Sequence, residues 1–337
     1  MNSRERFLKA CQCQLVDRPP VWLMRQAGRY LPEYQSLRAK HSLLEMFTTT
    51  ELVVEASLQP WRRFGMDAVI VFSDILIPSR AMGMKLDYVE GKGPQFSPPI
   101  CAPEEIQNLK SFDPFTACPF LYDGLNQLRK TLGDRAALIG FCGTPWTTAY
   151  YMLEKEIGVW KKERPKDLKR LLTILTRNLS EYLLAQVESG VDAIQLFDSW
   201  GGLLGPEEYE EWSGIFVATI IHTLKTKKIP VILFVKESAK LLQPMLQTEA
   251  DVLSIGIDTD LASAAQVAGN KVAVQGNLDS EILLKETPAQ IQAATKAMLQ
   301  QMRGRAGYIA NLGHGVLPKT PVENVAMFVN TVQESSL

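Results

Sequence analysis

Histidine is scarce in this sequence, with three residues among 337: His41, His222 and His314. A catalytic zinc site draws three protein ligands from His, Cys, Asp and Glu. His314, the only His at the end of an apolar run, has no Cys at a ligand spacing from it, so no metal is expected. Cysteine adds little. Cys11, Cys13, Cys101, Cys118 and Cys142 are odd in number and irregularly spaced, with no Cys-x-x-Cys pair, which argues against a disulfide framework or a zinc clip. All five read as reduced, mostly packing residues. An excess of charge is missing too: 36 Lys plus Arg face 37 Asp plus Glu, for a formal net charge of -1. Wholesale binding of nucleic acid or an anionic membrane needs a basic excess, so neither is expected. A local basic pocket remains compatible with this balance. No apolar run approaches the ~20 residues of a transmembrane helix. The first ten residues carry Arg4, Glu5, Arg6 and Lys9 with no apolar core after them, unlike a signal or transit peptide, and the expected location is cytoplasmic. A Gly-x-Ser-x-Gly nucleophile elbow and a Gly-rich dinucleotide loop after a strand are both missing.

What is present is the composition of a folded protein, 46% hydrophobic and 22% charged, which excludes disorder. Eight short apolar runs rich in β-branched residues recur: Val21–Met24, Ala68–Phe72, Ala137–Phe141, Ala193–Phe197, Val231–Val235, Val252–Gly256, Val272–Gln275 and Tyr308–Asn311. Weak alternation marks them as strands buried on both faces. Helical patterns lie between them, at Thr49–Phe64, Pro165–Ser189, Pro206–Leu224, Pro288–Met302 and Pro321–Val332. The clearest, Pro165–Ser189, places Leu171, Leu172, Leu175, Leu179, Leu183 and Val187 on one stripe. Length alone suggests about two domains at ~150 residues each. Eight strand–helix repeats instead predict one α/β domain over 1–337, a single (β/α)8 TIM-type barrel, which needs ~250 residues. The surplus falls mainly at 73–135, a Pro-rich insertion between the second and third strands that contains a hairpin-like Lys85–Phe96. Material inserted after a strand decorates the C-terminal face, where barrels keep their chemistry.

Polar groups follow most of the strands. Arg25-Gln26-Ala27-Gly28-Arg29 comes after the first, Ser73-Asp74 after the second, and Gly143-Thr144-Pro145-Trp146 after the third. Asp198-Ser199-Trp200, Lys236-Glu237-Ser238, Asp258, Asn277 and Gly313-His314-Gly315 follow the others. The expected mouth sets Arg25, Arg29 and Lys236, with Arg38 and Arg80 as further candidates, against Asp74, Asp198 and Asp258. Two Arg four residues apart suit an anionic substrate, because the guanidinium fork pairs bidentately with carboxylates. The plainer alternative is that these Arg bind acidic side chains of neighbouring loops. Gly28 suits either a close backbone approach or a positive φ. Bracketing Gly at a barrel mouth favours a functional His314, although Gly313 and Gly315 also suit a phosphate at a helix N-terminus. Trp146 and Trp200 suit the wall of a pocket for a large flat ligand or ordinary core packing.

The stretch Val21-Trp22-Leu23-Met24-Arg25-Gln26-Ala27-Gly28-Arg29-Tyr30-Leu31-Pro32-Glu33-Tyr34 closely resembles the N-terminal signature of the uroporphyrinogen decarboxylase family. Gly143-Thr144-Pro145-Trp146-Thr147 with Tyr151-Met152 resembles its second signature. Blocks around Asp74, Asp198, Asn277 and His314 follow in order, so the resemblance runs from about Arg6 to Phe328. It implies a cofactor-free (β/α)8 lyase of the haem pathway, cytoplasmic and homodimeric. Such an enzyme converts the four acetate side chains of uroporphyrinogen III to methyls, giving coproporphyrinogen III and carbon dioxide. By resemblance, the aspartate facing the pyrrole N–H groups falls on Asp74. The substrate-contacting arginines fall on Arg25, Arg29 and Arg38, with the backbone of Gln26, Ala27 and Gly28 between the first two. The family's tyrosine, hydroxyl residue and histidine fall on Tyr151, Ser199 and His314. The catalytic set so implied is Asp74, Arg25, Tyr151 and His314, and the proton donor is open among Arg25, Tyr151, His314 and a held water. Thr259, Arg80 and Glu237 depart from the family's usual pattern. Two rivals are a related corrinoid-dependent methyltransferase on the same barrel, which needs a zinc–thiol ligand set, and a non-catalytic tetrapyrrole-binding paralogue.

Overall fold

The computed structural model describes residues 1–89 and 93–335. Among them nine strands form: β1 (Ala68–Ile70), β2 (Leu86–Val89), β3 (Gly93–Phe96), β4 (Ala137–Gly143), β5 (Ala193–Asp198), β6 (Val231–Val235), β7 (Val252–Ser254), β8 (Ala273–Leu278) and β9 (Tyr308–Leu312). β2 and β3 pair antiparallel, as expected of Lys85–Phe96; residues 90–92 of that expected hairpin lie outside the described residues. The other seven form one parallel sheet in the order β1-β4-β5-β6-β7-β8-β9.

The two edges, β1 and β9, are joined by the segment Pro20–Met24. The expected strand Val21–Met24 makes only one ladder contact, between Val21 and Ala310. The rest of its backbone is held otherwise. Ala310 N–H donates to the Pro20 carbonyl and Asp67 N–H to the Val21 carbonyl, both at 2.9 Å. In return, Val21 N–H donates to Asp67 Oδ2 at 2.9 Å and Met24 N–H to Asn311 Oδ1 at 3.2 Å. Pro19 and Pro20 have no N–H to offer a ladder, so side chains complete the eighth position and the sheet closes into a barrel.

Period-two alternation divides the core. Trp22, Ala68, Ala137, Ile139, Ala193, Ile232, Phe234, Val252 and Ala273 face the barrel interior. Leu138, Val231, Leu233 and Val235 instead pack outward under the helices. The helix Ser3–Cys11 closes the N-terminal end with Phe7, Ala10 and Cys11. The interior is not wholly apolar, as weak alternation had suggested. Trp22 Nε1 donates to Gln275 Oε1 at 2.8 Å, and Gln275 Nε2 reaches Ser254 Oγ at 2.8 Å and Gln195 Oε1 at 3.1 Å. The amides of Gln195 and Gln275 therefore partner each other and their neighbours, as burial demands.

The helices follow the apolar periodicity. Pro165–Glu188 starts on Pro in its first turn and buries Leu168, Leu171, Leu172, Leu175, Leu179 and Leu183. Pro288–Gln301 begins with a capping box, Thr287 and Gln290. The expected continuous helix Pro206–Leu224 is interrupted: an α-turn at Pro206–Tyr209 passes through a π-helical stretch, Glu210–Gly214, before Ile215–Lys225. The wider turn coincides with Ser213 donating to buried Asp198 at 2.6 Å. The region 73–135 is also less uniform than expected, because its last third is the helix Pro119–Leu132, which packs on the helix Thr50–Phe64 in the barrel's outer ring.

Asp67 carries the closure. It is fully buried and accepts from Arg6 at 2.8 Å and from Arg18 at 2.7 and 3.0 Å, besides Val21 N–H. Removing one partner of a buried ion pair strands the other charge and costs about 3–5 kcal/mol. Asp67→Ala is therefore expected to lose about that much stability, read as a lowered denaturant midpoint with an unchanged slope.

Candidate functional site

A cavity of about 640 Å³ opens at the C-terminal ends of the strands. Ile70, Phe141, Phe197 and Phe234 line it from strands or their ends, and Val71, Phe72 and Ile75 add apolar surface beside β1. Set against this lining are Arg25, Arg29 and Lys236 as cations, Asp74 as the carboxylate, and Tyr151, Ser199 and His314 as further polar side chains. Ala27, Gly28 and Gln26 complete the wall beside Arg25. An apolar chamber that holds, among the described residues, three cations and one carboxylate suits a ligand that is both hydrophobic in body and anionic at its periphery.

Arg25 follows directly on the closure segment and takes a left-handed backbone, φ 57°, an uncommon and costly state for a non-Gly residue. Its side chain lies across Gly315: a Cβ there would fall 2.4 Å from Arg25 Cδ and 2.7 Å from Cγ. Gly315 is therefore glycine for lack of room. Gly313 has the same explanation on another side, since a Cβ would sit 2.7 Å from Ile257 N. The alternative of a phosphate held by these glycines at a helix N-terminus fails, because the next helix begins only at Val322. Gly28 shows the close backbone approach rather than a positive φ, its Cβ position lying 3.1 Å from the Arg25 carbonyl.

The cavity is short of bulk water, and this moves the titrations. Burial raises the Asp74 carboxyl above its ordinary pKa, opposed by the hydrogen bond from Leu76 N–H (2.8 Å), by Tyr88 and by Arg25. Burial lowers the Arg25 guanidinium, Arg29 adds to that, and Tyr151 and Asp74 oppose it. Arg25 is open to solvent within the cavity yet walled by protein, which reconciles its surface exposure with this desolvation. Burial raises the Tyr151 phenol, with the Trp200 indole and Arg25 pulling it down and Asp74 pushing it up. Burial, then Arg25 and Lys236, lowers His314, opposed by the Gly315 backbone and Asp279, so its ring is neutral at pH 7. The aromatic wall is itself ordered: Trp200 stacks on Tyr150 at 4.1 Å, and Trp146 Nε1 donates to the Trp200 carbonyl at 3.1 Å.

Several polar residues expected at the mouth serve structure instead. Asp198 is fully buried and accepts from the hydroxyls of Thr144, Thr147 and Ser213 at 2.8, 2.8 and 2.6 Å. Asp258 takes the N–H groups of Ser238 and Ala239, and Asn277 donates to the carbonyls of Gly256 and Thr259. The Gln26 side chain is spent on Leu23 N–H and the Ala68 carbonyl, its backbone N–H on the Leu23 carbonyl at 3.1 Å, and its own carbonyl on the Tyr30 hydroxyl at 2.8 Å, so the expected backbone contact to a ligand is left to Ala27 and Gly28. Neither Arg38 nor Arg80 lines the cavity; Arg38 donates to the His41 carbonyl and influences Tyr34, which does line it. Four contributors escaped the sequence reading. Phe141, Phe197 and Phe234 looked like ordinary strand residues, and only their position at strand ends could have flagged them. Tyr88 arrives on β2, in the insertion expected to decorate the mouth, but no motif singled it out.

A family model described as uroporphyrinogen decarboxylase (URO-D) matches residues 2–335. The chain is 42% identical over 343 residues to a uroporphyrinogen decarboxylase of Trichlorobacter lovleyi, covering 100% of this chain and 99% of that protein. It is 41% identical over 343 residues to one of Geobacter metallireducens, with the same coverage. Among solved structures, a methyltransferase from Methanosarcina mazei superposes with a TM-score of 0.85 over 99% of each chain, at 21% identity, a likeness of fold. With Arg25, Asp74, Tyr151 and His314 of the resembling blocks gathered in one cavity and relatives matched end to end, this chain belongs to the uroporphyrinogen decarboxylase family.

Proposed function

We propose that the cavity is the active site of a carboxy-lyase that decarboxylates the acetate side chains of uroporphyrinogen III, giving coproporphyrinogen III in tetrapyrrole biosynthesis. The observation that carries this reading is Asp74, the one carboxylate that lines the cavity among the described residues, set in an apolar chamber with Arg25, Arg29 and Lys236 around it. A macrocycle of pyrroles fringed by carboxylates presents apolar faces, four N–H donors and peripheral anions, which match those three features.

Decarboxylation leaves an electron pair that needs a sink, a role cofactors often fill. Here a proton added to a pyrrole carbon makes the ring itself the sink. The bond to the carboxylate then breaks, carbon dioxide leaves, and the electron pair neutralises the ring cation. A proton on the exposed side-chain carbon and loss of the ring-carbon proton restore the pyrrole, now bearing a methyl. Each cycle takes up one proton and releases one carbon dioxide. Asp74 accepts from the pyrrole N–H groups and stabilises the cation as it forms. Arg29, Ser199 and the N–H groups of Ala27 and Gly28 hold the side-chain carboxylates, and neutral His314 adds a hydrogen bond. Arg38 is left to the outer edge of the cavity.

For the proton donor, Arg25 leads by the family resemblance; burial and Arg29 lower its guanidinium, while burial raises the Tyr151 phenol and lowers His314. Residues 1–337 work as one barrel domain, with 73–135 supplying the added region; 90–92 and 336–337 lie outside the described residues. The five cysteines are free, which suits a reducing cytoplasm, and no helix of the described residues is long and apolar enough to cross a membrane. A homodimer is carried by the family resemblance and is read by sedimentation equilibrium.

Anaerobic incubation of the purified protein with uroporphyrinogen is expected to give seven-, six- and five-carboxyl intermediates and then coproporphyrinogen; no product at all sinks the reading. Asp74→Asn is expected to lower kcat by about 10²–10³-fold. It should also raise stability at neutral pH. Because the folded pKa of Asp74 is raised, its contribution is favourable below the unfolded value near ~3.9 and is lost as pH rises through the folded value, so the charged form is a burden at pH 7. An inactive variant that is also less stable would contradict this account. Gly315→Ala forces Arg25 aside and is expected to cut kcat/KM by about 10²-fold with the fold retained by circular dichroism.

A further inference from the structure

Tyr88 lines the cavity from β2, opposite Pro94 of β3, which lines it as well. Its ring is fixed by packing: the centroid lies 5.5 Å from that of Phe47, which in turn lies 4.9 Å from Phe72, two residues before Asp74. The phenol oxygen is buried and has no hydrogen-bond partner at full geometry among the described residues. A buried hydroxyl left in that condition is costly, and native sites seldom keep one without use. Its neighbour is Asp74. Asp74 Oδ1 is taken by Leu76 N–H, and no donor engages Oδ2 at full geometry among the described residues.

We propose that Tyr88 is a positioning residue for Asp74, its phenol donating a hydrogen bond to Oδ2 so that the carboxylate stays ionised and aimed at the substrate's N–H groups. The inference rests on the role given to Asp74 above. Among the described residues three other charged or titratable groups bear on this pair: Arg25 from the closure segment, Tyr151 from the helix Pro145–Met152 and Arg80 from the helix Ile77–Ala81. Burial favours the protonated acid, and only donors and cations oppose it. Leu76 N–H and Arg25 belong to the barrel proper or its nearest loops. The hairpin adds a third opposing group, so the inserted structure sets how far toward neutral pH the carboxylate remains charged.

Tyr88→Phe keeps the ring against Phe47 and removes only the donor. Infrared titration of protein carrying 13C-labelled aspartate reads the Asp74 band directly, with the band assigned by its loss in Asp74→Asn. In Tyr88→Phe the midpoint of that band is expected to move up by about one pH unit, and the acid limb of kcat to move with it. A midpoint and acid limb coincident with the parent protein overturn the proposal. The two readings fail separately: full turnover by Asp74→Asn overturns the role of Asp74, whereas an inactive Asp74→Asn with an unshifted Tyr88→Phe overturns only that of Tyr88.

Discussion

Closure of the barrel at Pro20–Met24 is the constraint on which the site depends. Seven strands pair by ordinary ladders; the eighth position is tied in by Asp67, Asn311 and two backbone contacts. Asp67 is in turn gripped by Arg6 from the plug helix and by Arg18. This segment delivers Arg25 to the cavity, and its left-handed backbone survives only because the residues before it are held on both sides. Val316 N–H returns to the Met24 carbonyl at 2.9 Å, so the strand-end glycine that makes room for Arg25 is anchored to the same segment. Arg25, Gly315 and His314 are thus placed by one seam.

The electrostatics follow from the same geometry. Apolar walls raise the carboxyl of Asp74 and lower the guanidinium of Arg25, so each charged group is less content in its charged form than it would be in water. An incoming ligand with anionic fringes and N–H donors supplies what both lack. Lys236 and Arg29 set the cavity's net sign, and neutral His314 adds hydrogen bonding without adding charge. Asp198 shows the contrast. It is equally buried, but three hydroxyls satisfy it, and it organises the turn after β5 instead of meeting ligand.

Repetition made the barrel legible, because seven of the eight expected runs are ladder strands and the long amphipathic helices start and stop near their Pro and capping signals. Val21–Met24 looked like the rest in composition; nothing in its residues shows that distant side chains replace its ladder. Arg25, Asp74, Tyr151, Ser199 and His314 were readable from the motifs and do share the cavity. Asp198 and Asp258 were misread because a strand-end acid looks alike whether it faces solvent, ligand or a ring of local donors. The π-helical turn was invisible for a related reason, since its Ser213 meets Asp198 at the end of β5, a contact the helical periodicity does not encode.

The Pro-rich region after β1 is more than decoration. A loop inserted at a barrel mouth changes a reaction only if it brings a group to the reacting atoms or alters their solvation. This one does both: Pro94 and Tyr88 become cavity wall, and the Tyr88 phenol reaches the neighbourhood of the carboxylate that the chemistry needs ionised. Phe47, on the helix Leu43–Thr48, links the hairpin to Phe72 at the end of the β1 segment. The hairpin is thereby packed, through Phe47, against the segment that carries Asp74, so an added element bears on a buried acid both through this aromatic chain and through Tyr88 itself.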